Sequence, residues 1–376
     1  MANPCKKRRF VSHGGDVWGF SRKYNVPVEK VLDFSAPINF LGASPKAVEA
    51  VKKFAELIKF YPDPNPTELR KEIAEYVGNV SPENIIVGNG SIEVIYMITE
   101  FVSPNFKAII PVPSFTEYEK AVLKFHGEPV FVKLRENFSI NLESIKKAVT
   151  DDTRIVFVCN PHSPSGTLYD RETILDLVDF CHKKGIVVCI DENYMEYAES
   201  DEEASVAAYV KKYDNLFVVK SLSKFFGAPG LRLGFAIAAQ NLICSLQDSR
   251  QPWSINSLAF PATSAALKDK DFIENTKRSI AREKAQLIKM LKKNSVLHVF
   301  PSETNFLLVK ILNRKITSIM LKEELAKEGI LIRDCSTFVG LGDNYFRVTV
   351  RSAEDNLKLV EALKKALKTA DEKSDL

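Results

Sequence analysis

The sequence predicts an α/β architecture, a largely parallel sheet covered by helices on both faces, joined to a smaller α+β domain. Three observations lead there. Between residues 84 and 239, short all-apolar runs alternate with helical stretches, and runs without polar alternation mark strands buried on both faces. Polar, Gly-rich and Pro-rich residues follow these runs rather than interrupting them. After about Trp253 the rhythm changes to long charged helices with a few strands, which marks a second unit.

Residues 1–45 are irregular, because Pro, Asn and Gly break regular structure there. Ser44-Pro45 opens a helix to about Phe60, with the proline just inside the cap. A proline-rich turn, Tyr61 to Pro66, leads to Thr67, expected to cap a helix through about Gly78. Residues 85–87 form a strand, and Gly88-Asn89-Gly90-Ser91 opens a helix through Phe101. Residues 108–110 form the next strand, then Pro113-Ser114-Phe115 opens a helix to about Phe125. Further strands span 129–134, 155–159 and 186–190, the last two ending in Asn160 and Asp191, with a helix over 171–184 between them. Two more, 216–219 and 235–239, enclose a polar loop. In the second unit a long charged helix covers 261–293, strands cover 306–309, 330–332 and 346–350, and helices cover 318–327 and 353–367. The expected division is 1–43 as an N-terminal arm and part of the small domain, 44–255 as the large domain, and 256–376 as the small domain.

Composition narrows the function classes. With 45% hydrophobic and 27% charged residues among 376, the chain reads as a globular enzyme with a substantial core. A net charge of +4 is too small to argue for nucleic acid, and Lys6-Lys7-Arg8-Arg9 reads as a solvated tail. No apolar run reaches the roughly 18 residues of a membrane span, and no apolar segment follows the N-terminal basic residues as in a signal peptide. The six cysteines (Cys5, Cys159, Cys181, Cys189, Cys244, Cys335) are scattered without paired spacing, which suits thiols in a reducing cytoplasm. The five histidines show no metal-ligand spacing, so no metal is expected.

Ligands of open α/β sheets bind beyond the carboxyl ends of the strands, so polar residues there are the candidates. The loop from Lys220 to Gly234 holds a lysine, Lys224, that can form a Schiff base with an aldehyde, and two hydroxyls and an arginine, Ser221, Ser223 and Arg232, that suit a phosphate. Gly90-Ser91 opens a helix, whose N–H groups also suit a phosphate. Phe115 can stack on a cofactor ring. Asn160 and Tyr194 can hydrogen-bond a phenolic oxygen, and Asp191 can pair with a protonated pyridine nitrogen. Each has a plain structural reading as well: a helix cap for Gly90-Ser91 or Asp191, a core aromatic for Phe115, a turn former for Asn160-Pro161. One small molecule asks for the whole set: pyridoxal 5′-phosphate (PLP). In the second unit Arg347 and Arg351, separated by Val-Thr-Val, share a strand face, and Arg333 ends another strand, a set suited to a carboxylate and a phosphate or to a solvated edge.

Taken in order, these residues resemble the fold type I PLP-dependent enzymes, the aspartate aminotransferase superfamily, over essentially the whole chain. The resemblance implies a large PLP-binding domain with a mostly parallel seven-stranded sheet between helices. It makes Lys224 the cofactor-bearing catalytic lysine, with Gly90, Ser91, Phe115, Asn160, Asp191, Tyr194, Ser221, Ser223 and Arg232 around PLP. Tyr61 matches a tyrosine that reaches the neighbouring subunit's PLP phosphate in the histidinol-phosphate aminotransferase branch, which implies a homodimer. Within that branch the chain is most similar to the threonine-phosphate decarboxylases of cobalamin synthesis. The segments that carry this are His13-Gly14-Gly15, Asp33 to Asn39, and Arg333-Asp334-Cys335-Ser336 leading to Arg347-Val348-Thr349-Val350-Arg351. The position of Arg351 is usually glycine in the aminotransferases. The substrate contacts implied are His13, Asn39, Arg333, Arg347 and Arg351, on a small phosphorylated amino acid. Three departures stand out: the family's Asn-Pro-Asn-Asn-Pro-Thr-Gly is Asn160-Pro161-His162-Ser163-Pro164-Ser165-Gly166 here, its Asn-Ile-Asn is Pro37-Ile38-Asn39, and Tyr194 follows the aminotransferases rather than many decarboxylases. The expected activity is decarboxylation of L-threonine O-3-phosphate, with transamination of histidinol phosphate or a related amino acid as the alternative.

Overall fold

A computed structural model describes residues 13–374 of the chain, with side chains described as far as residue 370. Cys5 and the basic cluster Lys6 to Arg9 lie outside the described residues. The described residues divide into two compact units, one of residues 38–284 and 301–305, the other of residues 13–37, 285–300 and 306–374.

The large unit is built on a seven-stranded sheet in the order Ile85–Gly88, Gly234–Ala238, Leu216–Ser221, Val187–Asp191, Thr153–Cys159, Lys107–Val112, Glu128–Lys133. Gly234–Ala238 runs antiparallel to both neighbours and every other pairing is parallel. All residues of the strands Val187–Asp191, Leu216–Ser221 and Gly234–Ala238 are buried, as apolar runs without alternation require. On one face, helices Ser91–Phe101, Thr116–Lys124 and Gln240–Ser249 contribute Val94, Ile98, Tyr118, Val122 and Leu246 to a core shared with Ile110, Phe157 and Phe217. Leu142–Ala148 and Arg171–His182 add the buried Ile145, Ile174, Leu177, Val178 and Cys181.

The small unit holds a four-stranded antiparallel sheet in the order Arg333–Asp334, Tyr345–Thr349, Phe306–Ile311, Leu297–Val299, and a two-stranded parallel pair, Leu32–Asp33 with Ile330–Leu331. Its core joins Phe34, Leu307, Val309, Leu321, Leu325, Phe346, Val348, Leu359 and Leu363.

Several boundaries differ from the sequence expectation. The helix expected to Phe60 ends at Lys53 and continues as a 3₁₀ segment, Ala55–Lys59. Thr67 is the first helical residue rather than the cap; the carboxylate of Asp63 accepts from the N–H groups of Asn65 and Thr67 instead. The charged helix expected over 261–293 is two helices, Ala259–Leu267 and Lys270–Leu291. The break falls at Asp269, whose carboxylate accepts from Ser44 Oγ (2.6 Å) and pairs with Lys46 (2.8 Å). Ala259–Leu267 packs on Pro45–Lys53 and Thr67–Val77 and so belongs to the large unit, moving the division from 255 to within Lys270–Leu291. The last helix runs on to Ser374. Among the described residues no helix is long and apolar enough to cross a membrane.

Candidate active site

Sheet register assembles the candidates of the large unit in one row. Gly88 pairs with Gly234, and Gly234 with Ser221. Val219, two residues before Ser221, pairs with Asp191, and Asp191 with Cys159, which precedes Asn160. Residues far apart in sequence thus meet at one end of the sheet because each strand stops there.

One end of the row is a cradle for an anion. Gly90 has φ +84° and caps Ser91–Phe101, a helix start whose N–H groups lack intrahelical partners. A Cβ added to Gly90 would stand 2.5 Å from Arg232 Nη2, so glycine is what lets the guanidinium approach this backbone. Gly234 has a second closeness: its Cβ would fall 2.2 Å from the Ser91 nitrogen. Ser221 Oγ accepts from the Ser223 N–H at 3.1 Å, while the buried Ser223 Oγ has no hydrogen-bond partner. A buried hydroxyl of that kind costs about 1–3 kcal/mol until a partner arrives. A guanidinium, a helix N-terminus and an unsatisfied hydroxyl fit a phosphate group.

Asp191 ends its strand with 3% of its surface exposed. Its Oδ2 accepts from Tyr118 Oη at 2.5 Å and its Oδ1 from the Asn193 N–H at 3.0 Å. Burial pushes its carboxyl up to about 6, opposed by the Tyr118 and Asn193 bonds and the Lys224 charge. A buried carboxylate held against its own desolvation suits a cationic ring nitrogen. Asn193 also donates to Ser91 Oγ at 3.0 Å, linking the two ends of the row. The Lys224 side chain is half-buried, and its carbonyl accepts from the N–H groups of Asn39 (3.1 Å) and Gly227 (3.3 Å).

Asn160 is 1% exposed and makes a reciprocal pair with Tyr169: its amide donates to the Tyr169 carbonyl and its oxygen accepts the Tyr169 N–H. Its second amide hydrogen remains for a phenolic oxygen. Tyr194 is buried and Phe115 is partly buried, edge-on to Tyr118 with ring centroids 5.6 Å apart. Tyr61 is 81% exposed, tilted against Trp253 at 4.9 Å.

Asn39, expected as a substrate contact, lies in the large unit beside the Lys224 backbone. It is 3% exposed, its amide donates to Phe225 O (2.9 Å) and Thr276 Oγ1 (3.0 Å), and its oxygen accepts from the Leu41 N–H. Every polar group of the side chain is engaged in holding the backbone beside Lys224. Sequence reasoning missed three further residues. Tyr118, one helical turn after Phe115, and Asn193, two residues after Asp191, sit at spacings that put them beside recognised neighbours. His162 is buried between Ser165 Oγ and the Pro113 carbonyl, at 2.7 Å from each, and burial pushes its imidazole down to about 4, so it is neutral. It fastens the Asn160 loop to the one that carries Phe115.

In the small unit, the antiparallel register sets Arg333 directly opposite Arg347. Both are buried, and burial followed by the Arg347 charge depresses the Arg333 guanidinium. Arg333 lies over the Phe338 ring and Arg347 over Phe306, with Arg347 Nη2 donating to Ser35 O at 3.1 Å. The strand ends at Thr349, so Arg351 does not extend it; Arg351 pairs with Asp355 at 3.0 Å and donates to Asp33 O. His13 and Arg333 line a cavity of about 170 Å³ with Ser35 and Lys322. Gly14 has a geometric reason to be glycine: its Cβ would meet Ser35 O at 2.2 Å, while the Gly15 N–H donates to Ser35 Oγ.

Residues 29–363 match the model of the family described as aminotransferase class I and II. The chain belongs to that family. PLP is the family's cofactor, and the cradle and the Asp191 environment fit its phosphate and its ring nitrogen. A candidate threonine-phosphate decarboxylase of Caldanaerobacter subterraneus subsp. tengcongensis is 36% identical over 361 residues, covering 96% of this chain and 95% of that one. The histidinol-phosphate aminotransferase of Methanocaldococcus jannaschii is 32% identical over 351 residues, covering 92% of each. Among solved structures, the histidinol-phosphate aminotransferase from Clostridium acetobutylicum has a TM-score of 0.83 at 31% identity, covering 90% of this chain and all of that one. Family membership makes this chain a PLP-dependent enzyme; the two named activities appear at similar identity.

Proposed function

We propose that this enzyme decarboxylates L-threonine O-3-phosphate to (R)-1-aminopropan-2-yl phosphate in cobalamin synthesis. The observation that carries this reading is the Arg333–Arg347 pair. The antiparallel register sets two buried guanidiniums opposite each other, a double cation suited to a substrate with both a carboxylate and a phosphate. We assign its anions to Arg333, Arg347 and His13, with Arg351 exchanging its Asp355 partner for one of them.

The residues of the large unit take the roles that the cradle supports. Lys224 carries the cofactor covalently. Ser221, Ser223, Arg232 and the Gly90-Ser91 amides hold its phosphate, Phe115 covers the ring, Asp191 faces the ring nitrogen, and Asn160 and Tyr194 face the phenolic oxygen. PLP, when bound, supplies a sink for the electron pair left on Cα when a bond there breaks. The protein decides which bond breaks by fixing the substrate's carboxylate and phosphate, a positioning effect. In the decarboxylase reading the substrate's amine would displace Lys224, the Cα–carboxylate bond would break with loss of CO₂, and the freed Lys224 Nζ would supply the proton that replaces it. Tyr194 and the relatives named for histidinol phosphate favour transamination as the second reading.

The same reading places Tyr61 on the cofactor phosphate of a second subunit in a cytoplasmic homodimer. In support, Ile58, Phe60, Tyr61 and Trp253 are exposed apolar side chains, and the Tyr61 ring lies against Trp253. The deciding assay is incubation of the PLP-loaded enzyme with threonine phosphate, following CO₂ and aminopropanol phosphate. A parallel arm with histidinol phosphate and 2-oxoglutarate follows glutamate. Stoichiometric CO₂ in the first arm supports decarboxylation; glutamate in the second with no CO₂ in the first replaces it with transamination.

A further inference from the structure

We propose that Tyr118 is a positioning residue that holds Asp191 ionised and aligned for the cofactor's ring nitrogen. The inference rests on the assignment of Asp191 to that nitrogen.

Tyr118 has no exposed surface, and its place is set by packing. Its ring stacks on Phe157 at 5.0 Å with an interplanar angle of 8°, and meets Phe115 edge-on at 5.6 Å. The hydroxyl therefore reaches Asp191 Oδ2 at a fixed point, 2.5 Å away. Burial, with Asp191 and Cys159 next, raises the Tyr118 hydroxyl well above its ordinary value of 10.0, so it stays protonated and can only donate to a carboxylate. Asn193 N–H serves the other oxygen. Two donors, one per oxygen, stabilise the ionised form and fix the carboxylate plane.

The charged and titratable surroundings of Asp191 are few. Tyr118 faces it from the helix Thr116–Lys124, Lys224 from the loop, Cys159 from the paired position of the neighbouring strand, and Glu192 and Cys189 from its own segment. Lys224 is consumed by the cofactor in the proposed function, which weakens its charge as a support. Glu192 opposes ionisation. Tyr118 and the Asn193 amide are then the lasting counterweights to burial. Because Phe115 packs on the same ring, one side chain sets the distance between the residue that covers the cofactor ring and the residue that faces its nitrogen.

The test is Tyr118→Phe, which keeps the ring and removes only the hydroxyl. PLP release from the holoenzyme on dilution, followed by absorbance across pH 5.5–8.5, should show affinity weakened by roughly ten-fold, since bonds to charged groups are the stronger ones. The pH below which PLP is lost should move upward. In full-chain thermal unfolding the variant should lose more at pH 8, where Asp191 is ionised, than at pH 5. An equal loss at both pH values would mark packing alone and overturn the proposal, as would unchanged PLP release. Asp191→Asn separates the two readings. If it weakens PLP and Tyr118→Phe does not, the Tyr118 role fails while the Asp191 assignment stands. If Asp191→Asn leaves PLP retention intact, the assignment fails and takes this inference with it. In the Asp191→Asn background, Tyr118→Phe should move the pH limit no further.

Discussion

At the scale of single residues, the site is held by polar groups placed against their own solvation. Asp191 is the clearest case. Its unfolded carboxyl titrates near 3.8 and its buried one at about 6. Between those values the folded chain binds the extra proton, so stability falls as pH rises from 4 to 6 and the cost persists above it. Asp191→Asn should therefore raise the thermal stability of the cofactor-free protein at pH 8, by on the order of 2–3 kcal/mol, and leave it near wild type at pH 4. Melting curves at the two pH values check this. The sequence makes Asp191 legible because a carboxylate ends an all-apolar run. It conceals Tyr118, because an aromatic on a helix facing a sheet reads equally well as core, and only the hydroxyl contact at 2.5 Å tells the two apart. The bonds that Asn39 makes to Phe225 O, Thr276 Oγ1 and the Leu41 N–H are equally hidden, because two of those partners lie more than 180 residues away.

At the scale of elements, the cradle depends on close backbone approach. Gly234 lies between Ser221 and Gly88 in register, with the Ser91 nitrogen where a β-carbon would stand. Gly234→Ala cannot be absorbed by a flexible side chain, since the atoms in the way are the backbone of Gly90 and Ser91. The helix start must shift, and PLP affinity should drop by at least about ten-fold, a loss of about 1.4 kcal/mol, which equilibrium dialysis measures. Strand and helix types were legible from the periods of the apolar residues. The ends were less so. Asp269 breaks what looked like one long helix because its carboxylate is claimed by Ser44 and Lys46, more than 200 residues earlier in the chain.

At the scale of the whole molecule, one short segment of the large unit exposes three apolar side chains: Ile58 is 75% exposed, Phe60 61% and Tyr61 81%. Exposed apolar patches of this kind mark interaction surfaces, and a second copy of this chain is the partner proposed for it. Ile58→Asp should shift the protein toward monomer in sedimentation velocity and, because Tyr61 is assigned to the neighbouring subunit's cofactor, weaken PLP retention in parallel. Retention of the dimer in this variant would move the interface elsewhere.

The sequence by itself determined the fold class and the cofactor, and it singled out the lysine proposed to carry that cofactor. Strand burial, helix starts and loop chemistry are local properties written in consecutive residues. Tertiary structure alone decided which side chains are already engaged, which face one another across strands, and where the units divide. Arg333 and Arg347 are fourteen positions apart in the chain and become neighbours only through antiparallel register. Tyr118 and Asp191 are 73 apart and meet only because a helix packs over the end of a strand. Contacts of that kind depend on three-dimensional distance, which no period or motif in the chain encodes.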